Sequence, residues 1–258
     1  MAKLPLSGLR VLVPRGGDIG TRLAAAVTAR GGVPVIAPAI QFGAPADPRA
    51  MADACEQLTA GAFDWVAVTS ATTVETLVDH DVRIPENTRV AVVGPATRDA
   101  MAAAGFPADF MPTTSFSAAA MVEEWPPGCG TVLMPQSALA EPTLADGLTA
   151  RGLDVTTVTA YDTTTLDWDD DIRHRLGSGE FRAVLFTSAS VARAVAGQGV
   201  PLPEATVVAC IGESTAVGAR AAGLSVHVVA EASTAEGLVA ALSDFLLSTQ
   251  PTRTEATP

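Results

Sequence analysis

The chain is poor in the residues on which much catalytic and metal chemistry depends. Among 258 residues it has one tyrosine, three tryptophans, three histidines and three cysteines. Lys3 is its single lysine, so arginine supplies nearly all of its 16 basic residues. Cys55, Cys129 and Cys210 are far apart, odd in number and form no C-x-x-C. They indicate neither a zinc site nor a disulfide framework, and reduced, buried thiols are expected. His80, His174 and His227 lack metal-ligand spacing, so no metal is expected. No apolar run approaches the ~20 residues that span a bilayer, and no run near Met1 suits a signal peptide. A cytoplasmic location without membrane contact is expected. The net charge of −12 argues against nucleic acid, which attracts basic surfaces. An anionic small molecule stays open, because a cleft can be locally positive.

What is present is a foldable chain, 48% hydrophobic and 17% charged. Small apolar residues in quantity favour helices packed closely on parallel sheets. One stretch occurs twice. Ala91-Val-Val-Gly94-Pro-Ala-Thr97 runs on to Gly105, and Ala209-Cys-Ile-Gly212-Glu-Ser-Thr215 runs on to Gly223. Each reads as an apolar strand, a glycine turn, a threonine in the first helical turn, an alanine-rich helix and a glycine stop. The N–H groups at the start of such a helix are unpaired and partly positive, which suits an anion.

The repeat extends beyond these stretches. At the same offset of 118 residues, Phe63 matches Phe181, Thr69-Ser70-Ala71 matches Thr187-Ser188-Ala189, Thr88 matches Thr206 and Ser115 matches Ser233. A second offset, of 121 residues, matches Val11-Leu12 to Val132-Leu133 and Thr28–Gly31 to Thr149–Gly152. The order along the chain is A, B, A′, B′, with two strands expected in each A unit and three in each B unit. Asp18, Ser70, Ser188 and either Ser115 or Ser117 read as helix N-caps. Asp169-Asp170-Asp171 reads as an acidic first helical turn. Residues 248–258 are polar and Thr/Pro-rich, and a disordered tail is expected there.

One A plus one B makes a five-stranded, doubly wound parallel α/β sheet. Contiguous pairing (A with B) and interleaved pairing (B with A′ inside, A with B′ outside) both satisfy the pattern. In either, ligands bind beyond the carboxyl ends of the strands. Those ends carry Arg15, Thr69-Ser70, Gly94–Thr97, Gln136-Ser137, Thr187-Ser188 and Gly212–Thr215. They are rich in hydroxyls and helix N-termini and contain no histidine, carboxylate pair or cysteine. The Arg15-Gly-Gly-Asp-Ile-Gly20 turn lacks the G-x-G-x-x-G spacing of a dinucleotide loop.

The strand ending in Arg15, FDWVAVTSA at 63–71, VAVVGPATR at 90–98, the strand ending in Tyr161, AVLFTSAS at 183–190 and VACIGESTA at 208–216 together resemble the uroporphyrinogen-III synthase family. The resemblance runs from Leu9 to about Leu247. It implies the interleaved pairing: two flavodoxin-like doubly wound parallel-sheet domains joined by a two-stranded linker, with the active site in the cleft between them. The outer domain would hold 1–38 with 167–247, the inner domain 46–159, and the linker strands 39–45 and 160–166. It further implies cyclisation of hydroxymethylbilane to uroporphyrinogen III in tetrapyrrole and heme biosynthesis, without cofactor or metal. The family's linker tyrosine falls on Tyr161, as an acid or hydrogen-bond donor to the departing hydroxyl. Its substrate-binding positions fall on Arg15, Ser70, Gly94, Thr97, Ser188, Gly212 and Thr215. Glu213 departs from an anion-friendly turn. A monomer is expected, meeting the preceding pathway enzyme transiently at most. The alternative is a non-catalytic, two-lobed cytoplasmic binder or sensor of an anionic small molecule, since fold alone does not fix function.

Overall fold

A computed structural model describes residues 4–249. It divides into two compact units, the first made of the chain up to Gln41 and from Thr165 onward, the second of Phe42–Thr164. Each unit is built on a five-stranded sheet with helices on its faces.

The first unit contains strands β1 (Arg10–Val13), β2 (Val33–Ile36), β8 (Ala183–Phe186), β9 (Val207–Cys210) and β10 (Val228–Val229), in spatial order β10-β9-β8-β1-β2. All its pairings are parallel. Taken in chain order within the unit, this is the flavodoxin-like arrangement. The central strands are buried on both faces, so they are continuous apolar runs with no polar alternation. Val11, Val13, Ala183 and Leu185 pack under α1 (Gly17–Ala29) and α10 (Ala235–Ser248). Helix α1 is capped by Gly16 and not by Asp18, which lies in its first turn. Gly17, with a φ of +64°, turns the chain there, so the cap lies two residues before Asp18. Gly20 then passes so close over the Arg15 carbonyl that a Cβ there would lie 2.1 Å from the oxygen.

The second sheet contains β3 (Ile40–Gly43), β4 (Trp65–Val68), β5 (Arg89–Val92), β6 (Thr131–Ser137) and β7 (Asp154–Thr165), in the order β3-β7-β6-β4-β5, and the boundary between the units falls within β3 and at the last residue of β7. A single bridge from Ala91 to Phe110 extends the β5 edge, where the sequence suggests a fifth short strand. The run β7-β6-β4-β5 plus this bridge repeats the spatial order of the first unit with the two halves exchanged along the chain. The strand expected to end at Tyr161 and the linker strand expected over 160–166 form one strand, β7. Faces alternate cleanly on β4: Val66 and Val68 join one core with Leu133 and Tyr161, while Trp65 and Ala67 join another with Val132, Met134 and Trp125.

The duplication is kept at the level of single hydrogen bonds. Thr88 Oγ1 donates to the Phe63 carbonyl at 2.7 Å and Thr206 Oγ1 to the Phe181 carbonyl at 3.0 Å. The Val90 amide donates to Asp109 Oδ2 at 2.7 Å, and the matching Val208 amide to His227 Nδ1 at 3.1 Å. A carboxylate and an imidazole thus do the same backbone task in the two copies, which accounts for His227 structurally.

Helix α10 continues through Ser248, into the expected tail; residues 250–258 of that tail lie outside the described residues. Cys55 and Cys210 are buried as expected, but Cys129 is exposed, because it sits in the Pro126–Gly130 loop where nothing packs over it. No helix is long and apolar enough to cross a membrane among the described residues.

Candidate active site

Parallel pairing throughout the first sheet and among β4, β5, β6 and β7 in the second puts the carboxyl ends of those strands on one edge of each sheet. In the second unit that edge carries Ser70 after β4, Gly94 after β5, the end of β6, and Tyr161 on β7 beside Ser137. Ser70 caps α3 (Ala71–Asp79): its Oγ accepts from the Thr73 amide at 3.1 Å and lies 2.9 Å from Thr73 Oγ1. The same oxygen lies 3.0 Å from the Tyr161 hydroxyl. Tyr161 is only 9% exposed, and the edge of one of the Phe42 and Tyr161 rings faces the other at 5.1 Å. The phenol is therefore fixed at both ends, by ring packing and by the serine.

Gly94 caps α4 (Pro95–Ala103) through its backbone, without a side-chain cap. Thr97, three residues on, is 5% exposed. Gly212 does the same for α9 (Glu213–Ala221), with Thr215 at 3%. Among the described residues neither threonine hydroxyl takes a hydrogen-bond partner. Yet no sealed-off side-chain atom lacks one there, so both hydroxyls retain an opening to the outside. Each turn thus offers first-turn amides and one threonine hydroxyl.

In the first unit the edge carries Arg15, Ser188 and the Gly212 turn. Ser188 caps α8 (Ala189–Ala196), accepting from the Val191 amide at 3.3 Å, and its second neighbour is Ser190 Oγ at 2.9 Å. Arg15 is partly buried just past β1. The Glu213 carboxylate reaches along its helix to Arg220, 2.8 Å away. Its charge at the second turn is therefore partly balanced. Cys210, at the end of β9, has its thiol pushed up to about 11 chiefly by burial, with Arg220 opposing and Glu213 adding. It stays protonated near neutrality and supplies no nucleophile. Among the described residues no group of His, Cys, Asp and Glu could hold a metal.

A family model described as uroporphyrinogen-III synthase HemD matches residues 21–240. The chain belongs to this family. It is 26% identical over 266 residues to a uroporphyrinogen-III synthase of Synechococcus elongatus, covering 96% of this chain and all of that one. It is 27% identical over 248 residues to a porphyrin biosynthesis protein HemD of Ruminiclostridium josui, covering 92% of this chain. The chain spans about half, 48%, of that relative's length. Among solved structures, a mutant uroporphyrinogen III synthase of Thermus thermophilus has a TM-score of 0.72 at 18% identity, covering 93% of this chain and all of that one. The enzyme of Helicobacter pylori gives 0.56 at 15%, covering 94% of this chain and all of that one. These likenesses show the fold.

Of the positions suggested by the uroporphyrinogen-III synthase resemblance, the structure brings Tyr161 and Ser70 into direct contact. Gly94 and Thr97 share their sheet edge. Arg15, Ser188, Gly212 and Thr215 share the edge of the first unit's sheet. Sequence reasoning missed Thr73, which ties both its amide and its hydroxyl to Ser70. The signal was available as Ser70-x-x-Thr73, a cap followed three residues later by a polar side chain. The counterpart of Thr73 is Val191, so only the second unit's serine has this support.

Proposed function

We propose that the chain is a uroporphyrinogen-III synthase, converting linear hydroxymethylbilane to uroporphyrinogen III with loss of water and inversion of ring D. Membership of the family across residues 21–240 carries the reading. The site chemistry supports it. The substrate loses its terminal hydroxyl readily, and the azafulvene left behind is attacked by a pyrrole carbon, through a spiro intermediate, without cofactor. The protein's task is then orientation and steering more than proton transfer. Rims of backbone donors and hydroxyls fit that task.

Tyr161 is the group we assign to the departing hydroxyl. The Thr73 amide donates to Ser70 Oγ; with the two hydroxyl contacts of Ser70 oriented so that Thr73 donates to Ser70 and Ser70 to Tyr161, the tyrosine proton is left for the substrate. Each link in such a chain polarises the next, and the α3 N-terminus adds partial positive charge at Ser70. The substrate's carboxylates would be held by the amides and threonine hydroxyls at Gly94–Thr97 and Gly212–Thr215, with Ser188 and Arg15 as further donors. Arg220, by engaging Glu213, lowers the competition from that carboxylate. The chain would act as a monomer, meeting the preceding pathway enzyme transiently, since no long apolar stripe is left unassigned in its sequence.

The test is isomer analysis. Freshly generated hydroxymethylbilane is incubated with and without the protein, the products are oxidised, and the porphyrin isomers are separated. Isomer III is expected with the protein, and isomer I without it. Isomer I alone, from folded protein, would overturn the proposal in favour of a binder of anionic ligands.

A further inference from the structure

Residues 111–117 connect the β5 edge to α5 (Ala118–Glu124) and pass beside the Gly94 turn. Phe116 is 47% exposed there, although it is a large aromatic. A Cβ built at Gly94 would meet Phe116 Cβ at 3.5 Å and Cγ at 3.8 Å. The base of the Phe116 side chain therefore lies against the Gly94 turn, at ordinary contact distance from where a side chain would begin. Met111 packs against the core and Pro112 is buried, which anchors the start of the loop; beyond them Thr113 and Thr114 are held by one side chain. Glu124 Oε2 accepts from the Thr113 amide at 2.7 Å and hydroxyl at 2.8 Å, and Oε1 from the Thr114 amide at 3.0 Å and hydroxyl at 2.5 Å. Among the described residues, residues 111–116 make no backbone–backbone hydrogen bond to the body of the unit.

A carboxylate in the last turn of a helix opposes the helix dipole. Its presence there calls for compensation, and the four donors supply it. The repeat provides an internal control. In the second copy the cap equivalent to Ser117 is Thr234, which puts Ala241 in the place of Glu124 and Ser233 in that of Phe116. Ser233 Oγ, not a ring, approaches the Gly212 turn, at 3.1 Å from a Cβ built there. The strap and the exposed ring belong to the first copy alone, so the duplicated fold does not require them.

We infer that Phe116 is a substrate contact, packing on a pyrrole ring whose acid side chain is held at the Gly94 turn, and that Glu124 is the positioning residue that holds Phe116 there. The inference rests on the proposed function. It makes the two glycine turns unequal: the first grips ring and acid together, and the second offers polar donors only. The strap keeps an apolar ring in water in the unliganded protein, where a free loop would fold it away. That pre-organisation lowers the ordering cost of binding.

The experiment is steady-state kinetics with hydroxymethylbilane, with isomer analysis, on wild type, Phe116→Ala, Phe116→Leu, Glu124→Ala, Glu124→Gln, the Phe116→Ala/Glu124→Ala double variant and Glu123→Ala. Loss of one aromatic contact should raise KM roughly 3- to 10-fold with kcat little changed. Phe116→Leu should recover part of that loss. Glu124→Ala should match Phe116→Ala, and Glu124→Gln should fall between Glu124→Ala and wild type, because one amide oxygen still accepts from a threonine. The double variant should be no worse than Phe116→Ala, as required if Glu124 acts through the ring. Glu123→Ala, the same charge change one residue away, should leave KM unchanged. A normal KM in Phe116→Ala, with wild type making isomer III, overturns the inference and leaves the function standing. Additive losses in the double variant overturn the positioning role of Glu124. Wild type making isomer I only overturns the function and this inference together.

Discussion

Tyr161→Phe separates the tyrosine's chemistry from its packing. Phenylalanine keeps the ring, and so keeps the edge contact with Phe42 at 5.1 Å and the place in the core beside Val158 and Leu133. It removes only the hydroxyl 3.0 Å from Ser70. Ser70 is not orphaned, since it still accepts from Thr73 and caps α3. The stability cost is that of one part-buried neutral hydrogen bond, about 1 kcal/mol. In the second unit that corresponds to a fall in Tm of roughly 2–6 °C, readable by far-UV circular dichroism. The catalytic cost should be larger. The hydroxyl is proposed to assist a leaving group directly, and loss of one pre-organised donor costs on the order of 10–100-fold in kcat when the leaving group departs neutral. KM should change little. The assay is the initial rate of isomer III formation, corrected for spontaneous isomer I. A kcat within twofold of wild type, in protein melting as expected, would reduce Tyr161 to a packing residue. A loss beyond about 10⁴-fold would show that proton transfer dominates and would refute the view that the site works mainly by orientation.

Three further outcomes are expected. Gly218→Ala should destabilise the first unit by about 1–2 kcal/mol, because a Cβ there would lie 2.2 Å from the Ala189 Cβ and overpacking outweighs the gain in helix propensity; adding Ala189→Gly should restore the Tm. Hydrogen bonds from Thr114, its hydroxyl first, and from Thr113 hold Glu124 at about 2 against 4.5 for the free acid, so its contribution is full above about pH 4.5 and lost as pH falls towards 2; Glu124→Gln should flatten acid unfolding in that window, followed by circular dichroism. A thiol reagent at pH 8 should modify Cys129 quickly, while Cys55 and Cys210, buried with thiols pushed up to about 11, should react only on unfolding; three fast thiols in the native protein would contradict the burial described.

The sequence by itself determined what depends on near neighbours. Apolar runs bounded by glycine set the strands, and Ser70 and Ser188 set helix starts, because caps bond three residues ahead; between Ser115 and Ser117 the structure chooses Ser117 as the cap of α5. The internal repeat exposed two equivalent glycine turns and, with the family resemblance, most of the proposed site. Where local reading failed, as at Asp18, a glycine with positive φ had moved the helix start. Tertiary structure decided what depends on distant partners. The residue pattern allowed contiguous or interleaved pairing equally, since either buries the same apolar faces; long-range strand contacts select one. The Tyr161–Ser70 contact joins residues 91 apart in sequence, and Glu124 reaches back to a loop that shows no periodicity of its own. The matching of Asp109 with His227 was equally hidden, because the two side chains share only an acceptor atom at the same point in space. Such contacts depend on the direction of a side chain after the backbone is placed, and that direction is fixed by packing.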